Sequence, residues 1–175
     1  MHFAYADPPY FGCCRLYQHE HGDDGRCWDD DTTHAEMISR LCFEYPDGWA
    51  MSASTPSLRT ILPLCPADVR VTAWVKPFAA YKRNVRNAYT WEPVIVWRGR
   101  VSSKDGAGVT RDHIAEPITM RKGFTGAKPE RVCRWILDQL GWKPGDKVDD
   151  LYPGTGVFGR VLLAAEASPE VLRYA

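Results

Sequence analysis

The chain has 175 residues, 45% hydrophobic and 25% charged, a balance that suits one globular domain with a core large enough to need no disulfide staples. Its 22 Lys and Arg cancel its 22 Asp and Glu, so no global charge points to nucleic acid and any basic surface must be local. There is no run of about 18 apolar residues to span a membrane and no basic-then-apolar leader, which excludes a membrane protein and points to the cytoplasm.

The first predicted element is a strand over about 2–6, His2-Phe3-Ala4-Tyr5-Ala6, and it runs straight into Asp7-Pro8-Pro9-Tyr10. An acid, two prolines and an aromatic at a strand end suit a flat ring that bears an amine. The acid and the carbonyls before the prolines accept from the amine, proline stiffens the backbone and removes a competing donor, and the aromatic stacks on the ring. Residues 15–32 then carry an acidic cluster of Asp23, Asp24, Asp29, Asp30 and Asp31. His19, His21, His34, Cys13, Cys14 and Cys27 crowd the same region, but their spacings match no common zinc pattern, so no metal is expected. The six cysteines are scattered and are expected to be reduced. Trp28 is either a lid over the ring or a core anchor.

A helix follows over about 33–44, with Thr32 or Thr33 as its cap and Glu36 completing a capping box. Next come a strand near 48–54, a short helix near 56–63 and a strand near 69–76. Residues 77–89 are too polar for a helix and suit a hairpin-like loop before a strand at about 90–98. Residues 98–128 are rich in Gly, Ser and basic side chains, with a net charge of +4. Arg98, Arg100, Arg111, Arg121 and Lys122 of this stretch are candidate nucleic-acid contacts, and 98–127 is a candidate small target-recognition insertion into one domain spanning 1–175.

The chain closes with a helix over about 128–141, a strand over about 146–152 and a helix over about 156–167. The last strand ends in Asp150-Leu151-Tyr152-Pro153-Gly154-Thr155-Gly156. A strand ending in an acid, then a Gly-x-Gly turn that opens a helix, is the layout of a nucleotide-type cofactor site: glycine admits a ligand to the backbone and the helix start offers free N–H groups. No Gly-Lys-Ser/Thr follows, so this is not a phosphate loop. The alternation of strands and helices predicts a mainly parallel sheet covered on both faces.

Together these motifs make the chain resemble the amino-group DNA methyltransferases that use S-adenosylmethionine (SAM), in the permuted group whose catalytic motif precedes the cofactor motif. Asp7-Pro8-Pro9-Tyr10 is similar to that family's catalytic tetrapeptide, Lys128-Pro129 to the Lys-Pro that opens the helix before the cofactor strand, and Asp150 to Gly156 to its Asp-Pro-Phe-x-Gly-Ser-Gly element. Trp74-Val75-Lys76-Pro77 and Trp91-Glu92-Pro93 look like its later strands, where a Glu often precedes the last strand. The resemblance implies an α/β, Rossmann-like sheet of about five strands, permuted and truncated, with the first strand beside the cofactor strand. It implies SAM bordered by Ala6, Asp7, Lys128, Pro129, Asp150, Leu151, Tyr152, Gly154, Thr155 and Gly156. It also implies a base held by Asp7, Pro8, Pro9 and Tyr10, with Trp28 and the basic residues above on the substrate side.

Asp in the first position implies adenine more than cytosine, and Tyr10 implies DNA more than RNA. A homodimer or a partner subunit could complete target reading, and the compact chain suggests a phage or mobile element. The family's ribose-binding acid, on a strand after the cofactor helix, has no counterpart here beyond Glu166. A weak or inactive methyltransferase-fold binding module is therefore the alternative.

Overall fold

The computed structural model describes residues 1–11, 28–78, 86–101, 109–119 and 127–168. Asp23, Asp24, Cys13, Cys14, Cys27, His19, His21, Arg121 and Lys122 lie outside the described residues. The strands are β1 (His2–Ala6), β2 (Gly48–Ser52), β3 (Arg70–Val75), β4 (Trp91–Arg98), β5 (His113–Ala115) and β6 (Lys147–Asp150). The helices are α1 (Asp31–Glu44), the short α2 (Leu58–Ile61) between two 3-10 turns, α3 (Glu130–Gln139) and α4 (Val157–Ala167). No described helix is long and apolar enough to cross a membrane.

All six strands join one sheet in the order β5-β3-β4-β2-β1-β6. β1 pairs in parallel with β2 on one side and β6 on the other, and β3 pairs in parallel with β5. β4 is the antiparallel member, hydrogen-bonded to β2 and β3. The expected adjacency of first and cofactor strands is present, with His2 opposite Lys147 and Tyr5 opposite Asp150. The sheet has one strand more than the about five expected. β5 is the addition, and it comes from the stretch read as a target-recognition insertion: residues 113–115 are drawn onto the free edge of β3. Among the described residues no strand follows α4, so β6 forms the other edge.

Alternation along the central strands divides the core in two. Phe3, Tyr5, Val94 and Val96 face α3 and α4, where they meet Val132, Ile136, Leu140 and Phe158. Ala4, Ala6, Met51 and Ile95 face α1 and α2, against Ile38, Leu41 and Ile61. Both sheet faces are thus covered, which is why β1 and β2 read as continuous apolar runs. The start of α1 differs from the threonine cap expected: Asp30 is the N-cap, its carboxylate accepting from Thr32 N–H at 2.9 Å. A carboxylate there also meets the positive end of the helix dipole, which a threonine hydroxyl exploits less.

At the end of the sheet where β1, β2 and β6 begin, Gly48 allows a close crossing. It sits at φ 143°, and a Cβ there would lie 2.6 Å from Gly99 N. At the same end Asp146 gathers charge. Its carboxylate accepts from Arg100 at 2.6 and 2.8 Å, from the Met1 ammonium at 2.7 Å and from Lys143 N–H at 2.9 Å. Burial alone would raise its pKa, but these donors together outweigh it and hold the group at about 2. A carboxyl with a depressed folded-state pKa stabilises the fold fully above its unfolded value and loses that contribution as pH falls toward the folded value. Asp146 is expected to contribute about 2 kcal/mol near neutrality, lost between roughly pH 4 and pH 2. Urea midpoints measured across that range should fall steeply in the native chain and less steeply in Asp146→Asn.

Candidate active site

Parallel strands bring their carboxyl ends to one rim of a sheet, and an antiparallel neighbour begins there. Asp7 to Tyr10 leave β1 at this rim and Asp150 ends β6 beside them, while β4 opens there with Trp91 and Glu92. Lys76 follows the last residue of β3, and the hairpin register sets Trp74 opposite Glu92 and Val75 opposite Trp91. Lys128 precedes Pro129, the N-cap of α3.

These segments converge on Lys128. Its ammonium group donates to both oxygens of Asp7, at 2.7 and 2.8 Å, and to Tyr10 Oη at 3.1 Å. Glu92 lies 3.6 Å away on its other side. The side chain is only 8% exposed. Burial opposes its charge, yet Asp7 and Glu92 overturn that effect and the pKa is raised above the ordinary lysine value. Glu92 also pairs with Lys76, whose ammonium group stands 4.7 Å from the Trp74 ring centre. Burial would raise the Glu92 pKa, but Lys128 and Lys76 together bring it below the usual carboxylate value. Tyr10 Oη donates to Glu92 Oε2 at 2.9 Å and lies 3.3 Å from Asp7 Oδ1. The result is a ring of two acids, two cations and one phenol at the rim.

Beneath it, Tyr5 Oη shares a hydrogen bond with Ser52 Oγ at 2.8 Å, and its ring stacks on Phe158 with centres 4.5 Å apart. Burial, with Asp7 adding to it, raises the Tyr5 pKa well above the ordinary value. Behind the turn a small cavity is lined by Pro8, Tyr10, Phe11, His34, Met51 and Ser52.

Asp150 stands in a different environment. Its Oδ1 is buried and has no hydrogen-bond partner. Burial, reinforced by the nearby charge of Asp7, raises its pKa to about 6 although Tyr152 N–H donates to it. A buried carboxylate oxygen without a donor suits a cationic or N–H-bearing group brought by a ligand. The turn that follows is open backbone. Gly154 and Gly156 take φ of 45° and 69°, values that favour glycine, and Gly156 caps α4 so that the helix start faces the turn. Leu151 N–H donates to Tyr5 O at 3.0 Å and Arg160 holds Thr155 O at 3.0 Å, which fixes both ends of the turn. Trp28 packs edge-on to Tyr152 at 5.5 Å and to His34 at 5.3 Å, so it borders this turn.

The structure thus brings together Ala6 to Tyr10, Lys128, Pro129 and 150–156. It does not bring Arg98, Arg100 and Arg111 to them. Arg98 pairs with Gly48 at the opposite rim, lies 4.1 Å over the Trp97 ring and donates to Pro46 O. Arg100 is tied to Asp146 and Gly141 O. Arg111 precedes β5, where its carbonyl accepts from Trp135 and Gln139. Their charge in the sequence indicated a surface, but strand direction carries β4's last residues away from the site. Glu92 and Lys76 are the site residues to which the sequence reading gave no role. Each is a lone charge bounding an apolar strand, and the hairpin register that unites them was the available signal.

No family model matches this sequence, and no curated protein matches it. Among solved structures it is similar to the SAM complex of M1.HpyAVI, with a TM-score of 0.59 and 15% identity over 94% of this chain and 77% of that one. A second structure of M1.HpyAVI gives a TM-score of 0.54 at 16% identity, over 94% of this chain and 76% of that one. At such identities the likeness establishes architecture alone: the chain has a Rossmann-like mixed α/β fold, shared with M1.HpyAVI.

Proposed function

We propose that this chain is a SAM-dependent methyltransferase that acts on the exocyclic N6 amine of adenine in DNA. The observation that carries this reading is the contact between Lys128 and Asp7, which unites the tetrapeptide and the Lys-Pro element at the rim where Asp150 presents an unpartnered oxygen. The likeness to M1.HpyAVI, solved as a complex with SAM, supports the cofactor part of this reading.

Asp150 and the 154–156 turn would hold SAM, with Lys128 and Pro129 at the border. Asp150 suits the ammonium of its amino-acid part, because a cation would complete the orphaned oxygen. SAM when bound supplies an electrophilic methyl group. The chain's own task is orientation: Asp7 and the Pro8 carbonyl accept the two amine hydrogens, so the nitrogen lone pair, otherwise delocalised into the ring, turns out of the ring plane. Tyr10 stacks on the base, which must leave a duplex to reach it. Phe78, Tyr89 and Trp91, on segments that flank the β3–β4 end of the rim, are exposed, as is Arg86, and exposed aromatics with a cation on these segments suit a nucleic-acid strand. The alternative is a methyltransferase-fold module that binds nucleic acid or a partner without turnover.

Calorimetric titration with SAM, then transfer of labelled methyl to DNA and RNA of varied sequence, separates the two. Asp7→Ala is expected to keep SAM binding and to lower transfer by about a hundredfold or more, the usual scale for losing one preorganised polar contact to a reacting group. No heat from millimolar SAM would leave only the binding module, and methylation of RNA alone would move the substrate class. A second expectation concerns pH. With an Asp150 pKa of about 6, the carboxylate that receives a cation is mostly absent at pH 5 and mostly present at pH 7. SAM should therefore bind about tenfold more tightly at pH 7, and Asp150→Asn should abolish that dependence.

A further inference from the structure

We propose that Glu92, acting through the Tyr10 hydroxyl, removes the proton that the amine nitrogen must shed on methylation. The inference rests on the methyltransferase reading and adds an exit route to it. As the N–C bond forms the S–C bond breaks, its electron pair stays on sulfur, and the nitrogen is left with a positive charge and one proton too many. A protonated, alkylated exocyclic amine is a strong acid, so a carboxylate takes that proton readily. Asp7 is the carboxylate placed to receive it.

The local hydrogen bonds then define where it goes. The Tyr10 hydroxyl has one proton, and the shorter contact directs it to Glu92 Oε2 at 2.9 Å, against 3.3 Å to Asp7 Oδ1. The phenol oxygen is therefore turned toward Asp7 as an acceptor. A proton on Asp7 can pass to Tyr10 Oη while the phenol proton passes to Glu92, a net move of one proton with the phenol regenerated. Glu92 is 19% exposed and releases it to water.

The charges that face this route are Lys128, beside Asp7, Tyr10 and Glu92, and Lys76, beside Glu92. Both cations keep Glu92 ionised before turnover, hence empty of a proton. Lys128 fills one acceptor position on each Asp7 oxygen, and Asp7 is 21% exposed, so direct release from Asp7 to solvent is the competing exit that the variants below separate from the relay.

The test uses the full chain with SAM and an adenine-containing DNA under single-turnover conditions. Glu92→Gln still accepts the phenol hydrogen bond through its amide oxygen but cannot take a proton, and Tyr10→Phe keeps the stacking ring. Each is expected to slow transfer by roughly tenfold to a hundredfold with calorimetric SAM affinity unchanged, and the double variant should be no slower than the slower single one. Formate should restore part of the rate of Glu92→Ala, and across small carboxylates the restored rate should rise with their basicity, which mere rebalancing of Lys76 and Lys128 would not give. Independently of activity, carbon-13 NMR of the Glu92 carboxyl should show its titration midpoint rising in Tyr10→Phe. A Glu92→Gln rate within twofold of native, multiplying losses in the double variant, no formate rescue, or an unmoved Glu92 midpoint would each overturn the route alone. A native chain that methylates nothing overturns the underlying reading and the route with it.

Discussion

A lysine ammonium only 8% exposed keeps its charge because carboxylates replace the water it has lost. For Lys128 they come from two remote places in the chain, Asp7 after the first strand and Glu92 at the start of the fourth. Removal of either acid would leave a buried cation partly uncompensated, and removal of the lysine would leave two half-buried acids facing each other across Tyr10. Breaking such a pair from one side typically costs about 3–5 kcal/mol. The site and the fold therefore share one electrostatic requirement: the strand ends must meet for the charges to be tolerable.

Topology meets that requirement through direction. β1 and β6 run in parallel and in register, so the turn after one and the acid ending the other emerge on the same rim. β4 runs the opposite way, so its opening residues stand where its neighbours finish. That reversal places Glu92 in the site and sends Arg98 to the far rim, where Arg100 joins Asp146 in a second charge cluster that ties the opposite end of the sheet together.

The sequence made legible whatever depends on local pattern. Asp7 to Tyr10 follow an apolar strand, Gly154 and Gly156 need positive φ, and the apolar spacing of α3 marks its buried face; these were readable because backbone and periodicity set them. The pairing of β1 with β6, though 145 positions separate their first residues, followed from family likeness and not from pattern. What was not legible depends on pairing. β5 is three residues, too short for a periodicity to register, and only the free edge of β3 makes it a strand. Arg98 and Arg100 read as a basic surface because composition counts charge without direction. Glu92 and Lys76 gain a role only once the hairpin register sets them together. The Asp30 cap was hidden in a run of acids whose net charge drew attention away from its helix-starting geometry.

Two neighbouring carboxylates have opposite environments at the rim, and that contrast orders the proposed chemistry. Asp7 is already neutralised: Lys128 occupies one position on each of its oxygens, while a carboxylate offers about four lone-pair positions. It can accept an uncharged amine without giving up its ion pair, and so without reorganisation as the amine arrives. Asp150 is not neutralised, and its buried oxygen lacks any donor. A cation brought there gains a full partner and relieves a strained acid. A neutral nucleophile and a positively charged donor group are thus sorted to adjacent acids by the charge each acid already carries.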